Sequence, residues 1–231
     1  MSMNTATPDM GESARRRVTT VAEEKMLETL NWAYTSTLNG LPGQKSVYQL
    51  VRDYLDKYDA NEAEQRLVQF QTSKAATAGF VTGLGGLITL PVAVPANVAT
   101  VILVQMRMIA AIALMHGYDL HDHQVRTFVY ATLTGSSVAD IIKQGGLQLE
   151  TKMGIGMMHR LPTSVLRHIN QRAVLRLVTK FGTTGAVNLG KVVPVIGGIV
   201  SGSVDTATTL GIAQLAHNTF ALRTMQPKLR A

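Results

Sequence analysis

A run of 32 residues without a formal charge, Ala75–Met106, constrains the fold of this chain more than any other feature. Arg107 interrupts the run, which then continues uncharged through Met115. An exposed apolar surface of that size promotes association. The chain must therefore bury the run in its own core or place it against lipid or a partner. Because Pro91 and Pro95 each end or kink a helix, the run does not predict one clean membrane span.

Composition and charge narrow the functional classes. The 231 residues include no Cys, which excludes disulfides and thiolate zinc sites. The N-terminus has no apolar segment after a basic start, so we expect no secretory signal and a cytoplasmic location. Residues 151–231 hold ten Lys and Arg against one acid, a net +9, which leaves −2 for residues 1–150. This uneven distribution of charge suggests that the basic part contacts phospholipid headgroups or nucleic acid. The alternative is a basic face that is only solvated and binds no partner.

Local patterns predict an all-α fold with a single multi-helix domain. Residues 1–17 are polar and unpatterned and predict a disordered tail, and a helical domain follows over residues 18–225. Thr20, Ser46 and Asn61 each precede a Glu or Gln by three residues, which is a helix-capping pattern. The expected helices are about 20–38, 46–58, 61–78, 96–116, 122–133 and 136–143, then a basic helix opening at Leu161-Pro162 and a last helix ending near residue 222.

Two Gly- and Pro-rich apolar segments, Pro91–Pro95 and Val192–Gly198, mirror each other in composition. Small residues recur at four-residue spacing beside each segment, as in Gly79 and Gly83, and such ridges let another helix approach closely. We therefore expect the two segments to pack as a central hairpin-like core. The apolar hairpin itself consists of Pro91, Val92, Val94 and Pro95.

Arg107 and Asp205 each stand alone in a helix that otherwise carries no formal charge. An unpaired ion in an apolar interior is strongly unfavourable. We therefore expect the two residues to form a buried charge pair. The alternative is that each faces water on a polar stripe of its own helix.

A stripe of basic residues marks the helix after Pro162. Arg172, Arg176 and Lys180 recur at four-residue spacing and predict contact with an anionic membrane surface. Nucleic acid is the other polyanion that such a stripe could bind. Phe181 is the one aromatic residue between residues 151 and 200, so the segment lacks a stacking platform for bases, and we expect no nucleic-acid binding.

No catalytic mechanism is legible in the sequence, and we expect no cofactor, metal or catalytic residue. Possible metal ligands cluster in one stretch, at His116, Asp119, His121, Asp122 and His123. Residues at alternate positions face different sides of a helix, and zinc sites need ligands from several elements in fixed geometry. The stretch therefore predicts a helix-capping loop. The remaining histidines lie apart at His159, His168 and His217.

Two blocks of the chain resemble the EcsC protein family. In residues 79–120, a Gly-rich turn and a Pro-Ala segment precede the signature positions Gln105, Arg107, Ile109, Ala110, Ile112 and Ala113, followed by Gly117–Leu120. In residues 178–216, the matching positions are Lys180, Phe181, Gly182, Asn188–Lys191, Pro194, Gly197, Gly198 and Asp205. The resemblance extends from about residue 60 to residue 220.

The resemblance implies a bacterial, α-helical, membrane-connected protein with no established catalytic activity. The family takes its name from a gene beside an ABC transporter. We expect a membrane phospholipid surface or a membrane protein, such as one linked to a transporter, as partner. Spanning is doubtful, because an Arg at the middle of Ala96–Met115 costs roughly 2.5–3.5 kcal/mol on insertion scales. We therefore interpret the chain as an accessory or interaction factor at the cytoplasmic face of the membrane, peripheral or partly inserted.

Two alternatives remain open. One is a soluble enzyme or carrier whose apolar core encloses a lipid-like ligand. The other is an effector that inserts into membranes.

Overall fold

Helices make up the fold, and no described residue lies in a β-strand apart from one isolated bridge between Leu41 and Gln44. The computed structural model describes residues 10–76, 94, 96–144, 161–187 and 197–221, with side chains over 19–73, 94, 98–141, 161–181 and 207–221. The helices are α1 (Met10–Asn39), α2 (Val47–Leu55), α3 (Ala60–Ala76), α4 (Ala96–Met115), α5 (His123–Leu133), α6 (Val138–Gln144), α7 (Thr163–Val187) and α8 (Gly197–Phe220). The all-α prediction is confirmed.

The start of α1 differs from the prediction. Met10–Arg17 is helical, so the predicted disordered tail through residue 17 is wrong over that stretch, and residues 1–9 lie outside the described residues. Thr20 lies inside α1 and does not cap it. The polar composition suggested disorder, but Glu, Ala and Arg are also strong helix formers, and this propensity extends the helix.

Of the two other predicted caps, one is confirmed and one is wrong. Ser46 Oγ accepts a hydrogen bond from the Gln49 N–H at 3.2 Å, and Gln49 Oε1 accepts one from the Ser46 N–H at 3.0 Å. At α3, Asp59 Oδ1 accepts from the Glu62 N–H at 2.9 Å, so Asp59 caps the helix instead of Asn61. The carboxylate of Glu64, three residues after Asn61, is therefore available for another role.

Helix α4 forms the centre of the core and contacts α1, α2, α3, α5 and α8. Its side chains are buried around the whole circumference, as expected for a helix that is apolar on every side. The segment Val98–Met115 is the one described stretch long and apolar enough to cross a membrane, and 72% of it is buried within the protein. The second half of the uncharged run is therefore packed inside the protein's own core.

Helix α8 lies beside α4 and runs in the same direction. Gln105 Nε2 lies 3.4 Å from Thr209 Oγ1, and further along both chains the rings of Tyr118 and Phe220 have centroids 5.1 Å apart. The helices that follow the two Gly- and Pro-rich segments thus pack together in the core. Pro91, Val92 and Pro95 of the apolar hairpin lie outside the described residues, and Val94 is half-buried.

A buried polar network joins α1 to the α4–α5 loop and to α5. Tyr34 Oη donates to the carbonyl oxygen of Leu120 at 2.6 Å, and its ring meets the ring of Tyr130 edge-on at 5.8 Å. Asn31 Oδ1 accepts hydrogen bonds from Tyr130 Oη, at 3.2 Å, and from the Arg126 guanidinium. Burial raises the pKa of both tyrosines, so both hydroxyls stay protonated at neutral pH. The network fixes the loop that follows α4.

Candidate functional site

Two histidine side chains from two helical regions converge on one buried carboxylate of a third. Glu64 Oε2 lies 2.9 Å from His116 Nε2, and Glu64 Oε1 lies 2.9 Å from His217 Nδ1. The two imidazole rings meet edge-on, with centroids 5.6 Å apart and an angle of 74° between their planes. We call Glu64, His116 and His217 the Glu-His-His cluster.

The packing of α3 against α4 and α8 creates the cluster. Glu64 stands near the start of α3, His116 directly follows α4, and His217 lies in the last turn of α8. The start of α3 therefore meets the ends of the other two helices. Gly117, whose φ of +78° suits glycine, turns the chain away immediately after His116. The helix ends thus hold the two imidazoles against α3.

Burial and hydrogen bonding compete at Glu64, whose residue surface is only 8% exposed. Burial raises the pKa of the carboxyl group, but hydrogen bonds from His116 and His217 outweigh it and bring the pKa below its usual value. Glu64 is therefore an anion at neutral pH with both oxygens engaged. The His116 side chain is 10% exposed and the His217 side chain 44%, so the cluster is closed on one side and open on the other.

A groove of about 650 Å³ between α3 and α8 opens onto the exposed side of the cluster. Glu64 and His217 form part of its wall. The other lining residues are Asn61, Gln65, Val68, Gln69, Leu210, Ala213 and Gln214. Side-chain amides therefore dominate the polar part of the wall, and Leu210, 48% exposed, contributes an apolar edge. Water and small polar ligands can reach the cluster from this side.

Sequence reasoning missed the cluster because it treated its members singly. The sequence places Glu64 in a helix-capping pattern, groups His116 with the stretch through His123 and leaves His217 apart. One signal could have found it: Glu64 lies three and four positions before Leu67 and Val68, on the inward face of α3. An acid on an inward face needs a buried partner.

The predicted helix-capping loop is confirmed at Asp122. Its Oδ1 accepts a hydrogen bond from the Gln124 N–H at 2.7 Å at the start of α5, and Asp119 Oδ1 accepts from the His121 N–H at 2.9 Å. His121 and His123 are exposed, and the His121 ring stacks on Tyr48 with centroids 6.1 Å apart. His116, which the sequence grouped with this loop, belongs instead to the Glu-His-His cluster.

The expected Arg107–Asp205 pair stays a prediction. Arg107 is half-buried on α4, and burial lowers the pKa of its guanidinium. Asp205 lies in α8, but its side chain is outside the described residues. Gln105, which contacts Thr209 of α8, lies about 200° around α4 from Arg107. The side of α4 that faces α8 at Gln105 is therefore not the side that carries Arg107.

The basic stripe runs along α7, and its members differ in exposure. Arg172 is exposed, whereas Arg176 and Lys180 are half-buried. The Arg176 guanidinium donates to Ser136 Oγ, and Lys180 Nζ lies 5.3 Å from the centroid of the Phe181 ring. Arg172 is thus the most solvent-exposed member of the stripe. Arg167, one turn and a half earlier on α7, is also exposed.

Comparison with known proteins gives one finding. A model of the EcsC protein family matches residues 6–225 of the 231-residue chain. The match covers both blocks whose residues resemble that family, and it also takes in α1 and α2, which the resemblance left out. No curated protein and no solved structure matches the chain.

Proposed function

The chain belongs to the EcsC protein family, and we propose that it is an accessory factor that docks on the anionic cytoplasmic surface of a membrane. The observation that carries the proposal is the charge of α7. Thr163–Val187 contains four Arg and Lys residues and no Asp or Glu. A helix with that composition has no acid of its own to neutralise its field, so it attracts an anionic surface.

The exposed guanidiniums of α7 are well placed for such contact. Arg167 and Arg172 are exposed, and neither takes part in an ion pair among the described side chains. Helix α7 is anchored in the core through Ile169, Ala173 and Leu177, all fully buried, and Arg167 and Arg172 flank that buried face. This anchoring keeps the two guanidiniums on a rigid surface. Their charges are then presented to headgroups without any ordering of the backbone.

Peripheral docking fits the placement of the apolar residues better than spanning. Helix α4, the described candidate for a membrane span, uses most of its surface to bind α1, α2, α3, α5 and α8. Inserting it as a span would expose those partner surfaces. Electrostatic attraction through α7 requires no such rearrangement, because Arg167 and Arg172 already face solvent.

Vesicle flotation tests the proposal. The protein should float with vesicles rich in phosphatidylglycerol, bind neutral phosphatidylcholine vesicles weakly, and dissociate as salt rises. Each Lys or Arg near an anionic leaflet contributes about 1 kcal/mol, so Arg167→Glu plus Arg172→Glu should weaken binding by at least roughly 30-fold. We choose Arg167 over Arg176 because Arg176 also binds Ser136, and its loss would disturb packing.

A matched control reverses the same number of charges elsewhere. Arg52 and Lys57 are exposed in and just after α2, which packs on α1, α3 and α4 rather than on α7. Arg52→Glu plus Lys57→Glu should therefore retain most of the vesicle binding. Equal binding to neutral and anionic vesicles, or equal loss in the two double variants, would contradict docking through α7.

A second groove favours a second candidate function, that of a carrier for a lipid-like ligand. It has a volume of about 730 Å³ and lies between α1, α5 and α7. Leu27, Leu166 and Val174 supply apolar wall, Arg126 and Arg167 supply positive charge, and Glu23 and Glu24 supply negative charge. Native mass spectrometry of the purified protein with added fatty acid tests this candidate. A one-to-one complex that Val174→Asp abolishes would support it, and no complex would remove it.

A further inference from the structure

We propose that the Glu-His-His cluster is a binding site for a divalent transition-metal ion of the zinc class, and that the ion keeps one coordination position open to the α3–α8 groove. The proposal is independent of membrane docking, because α7 supplies no residue to the cluster. It adds a metal site to a chain whose sequence predicts none.

The three possible donor atoms already lie close together. One carboxylate oxygen of Glu64, one ring nitrogen of His116 and one of His217 all lie within 4.8 Å of one another. Donors on a tetrahedral ion with bonds of about 2.0–2.1 Å lie roughly 3.4 Å apart. The two hydrogen-bonded pairs are at 2.9 Å and use different oxygens of Glu64. Side-chain rotations would bring one of those oxygens and the two nitrogens to the tetrahedral spacing. The ion would replace the protons that these pairs now share.

The donor set selects the class of ion. Two imidazoles and one carboxylate suit zinc, cobalt, nickel and other first-row ions, whereas calcium and magnesium prefer sites made of oxygen donors. The ligands come from α3, the end of α4 and α8, so the packed core fixes their positions. The negative charge of Glu64 also partly neutralises the ion. Burying a divalent ion beside an anionic carboxylate costs less free energy than burying it among neutral ligands alone.

The coordination sphere is incomplete with protein atoms alone. Three protein ligands leave a fourth position on a tetrahedral ion, and sites of this type hold water or a ligand there. The exposed side of His217 and the amide-lined groove lie on the open side of the cluster. Gln65 and Gln214, which line the groove, offer hydrogen-bonding groups to a water or small oxyanion on the ion.

Cobalt titration of the full-length, chelator-treated protein tests the site. We expect one equivalent of Co²⁺ to bind, with the intense visible absorption of a four- or five-coordinate nitrogen and oxygen site, and Zn²⁺ to displace it. Added azide should shift the absorption by occupying the open position. An unchanged spectrum would overturn the open position and indicate a closed site.

Variants locate the ion. Glu64→Gln keeps the shape of the side chain but removes its charge and replaces one acceptor oxygen with a donor NH2 group. His217→Ala changes a side chain that is 44% exposed. Loss of a residue that only hydrogen-bonds to a metal ligand weakens metal binding roughly 10–100-fold. Because each variant changes a ligand itself, each should weaken Co²⁺ binding by at least that factor. Circular dichroism should show that both variants remain helical.

The control addresses the other histidine cluster. His121→Ala plus His123→Ala removes two exposed imidazoles from the α4–α5 loop and should leave Co²⁺ binding unchanged. The proposal is overturned if the wild-type protein binds no Co²⁺, if both cluster variants bind as well as wild type, or if the loop variant alone loses the ion. The first result would leave the cluster as a metal-free hydrogen-bonded triad.

Discussion

The hydrogen bond from Tyr34 to Leu120 supplies a sharp test of the fold that positions the Glu-His-His cluster. Leu120 lies in the loop after His116, and its carbonyl accepts from Tyr34 Oη at 2.6 Å. Tyr34 is 4% exposed and Leu120 is 1% exposed, so water cannot replace the lost donor. Tyr34→Phe removes one hydroxyl and keeps the ring, including its edge contact with Tyr130 at 5.8 Å. No large cavity forms, and the cost is almost entirely polar.

The magnitude follows from the buried carbonyl. A buried acceptor left without its partner costs about 1–3 kcal/mol. For a chain of this size each kcal/mol corresponds to a change in Tm of roughly 2–4 °C, so Tyr34→Phe should lower Tm by about 2–12 °C. Urea denaturation followed by circular dichroism measures the free energy of unfolding directly. The slope of that free energy with urea should not change, because no surface is added or removed.

Tyr48→Phe is the matched control. The Tyr48 hydroxyl is buried and has no hydrogen-bond partner among the described residues. Removing an unsatisfied buried hydroxyl should leave the free energy of unfolding unchanged or raise it slightly. A Tyr34→Phe variant as stable as Tyr48→Phe would refute the assignment of the Leu120 hydrogen bond and with it the docking of α1 on this loop.

Two further comparisons test local strain and buried charge. Gly40→Ala would place a Cβ 2.7 Å from the Gln44 carbonyl oxygen at a φ of +83°. Gly43 has a similar φ of +76° with open space around it, so Gly43→Ala should lower the free energy of unfolding only by the left-handed penalty of about 1–2 kcal/mol. Gly40→Ala should lower it by clearly more, because its Cβ also meets the backbone. Urea denaturation measures both changes. If the predicted Arg107–Asp205 pair exists, changing either residue to Ala should cost roughly 3–5 kcal/mol, and the double variant should cost less than the sum. Additive costs would contradict the pair.

The sequence correctly predicted helix caps and helix ends that depend only on residues close together along the chain. The Ser46 capping box, the end of α4 before Gly117 and the Asp122 cap each involve residues within a few positions of one another. The burial of α4 was one of the options left by its uncharged composition. Asn61 shows the limit of such patterns, because Asp59, two residues earlier, competes for the same helix N-terminus and wins.

The candidate site depends on contacts that no local pattern contains. His116 lies 52 positions from Glu64 and His217 lies 153 positions from it. Their meeting is set by the direction of α3 relative to α4 and α8, which follows from tertiary packing. Sequence spacing drew attention instead to His121 and His123, which lie close together along the chain but are exposed on a loop.

Fractionation of membranes from cells that express the chain tests membrane docking most directly. Docking through α7 predicts that the protein sediments with membranes at low ionic strength and that a high-salt wash releases it without detergent. The Arg167→Glu plus Arg172→Glu variant should already be in the supernatant at low ionic strength. A wild-type protein that stays in the supernatant at low ionic strength, or that withstands salt and carbonate and needs detergent for release, would contradict electrostatic peripheral docking.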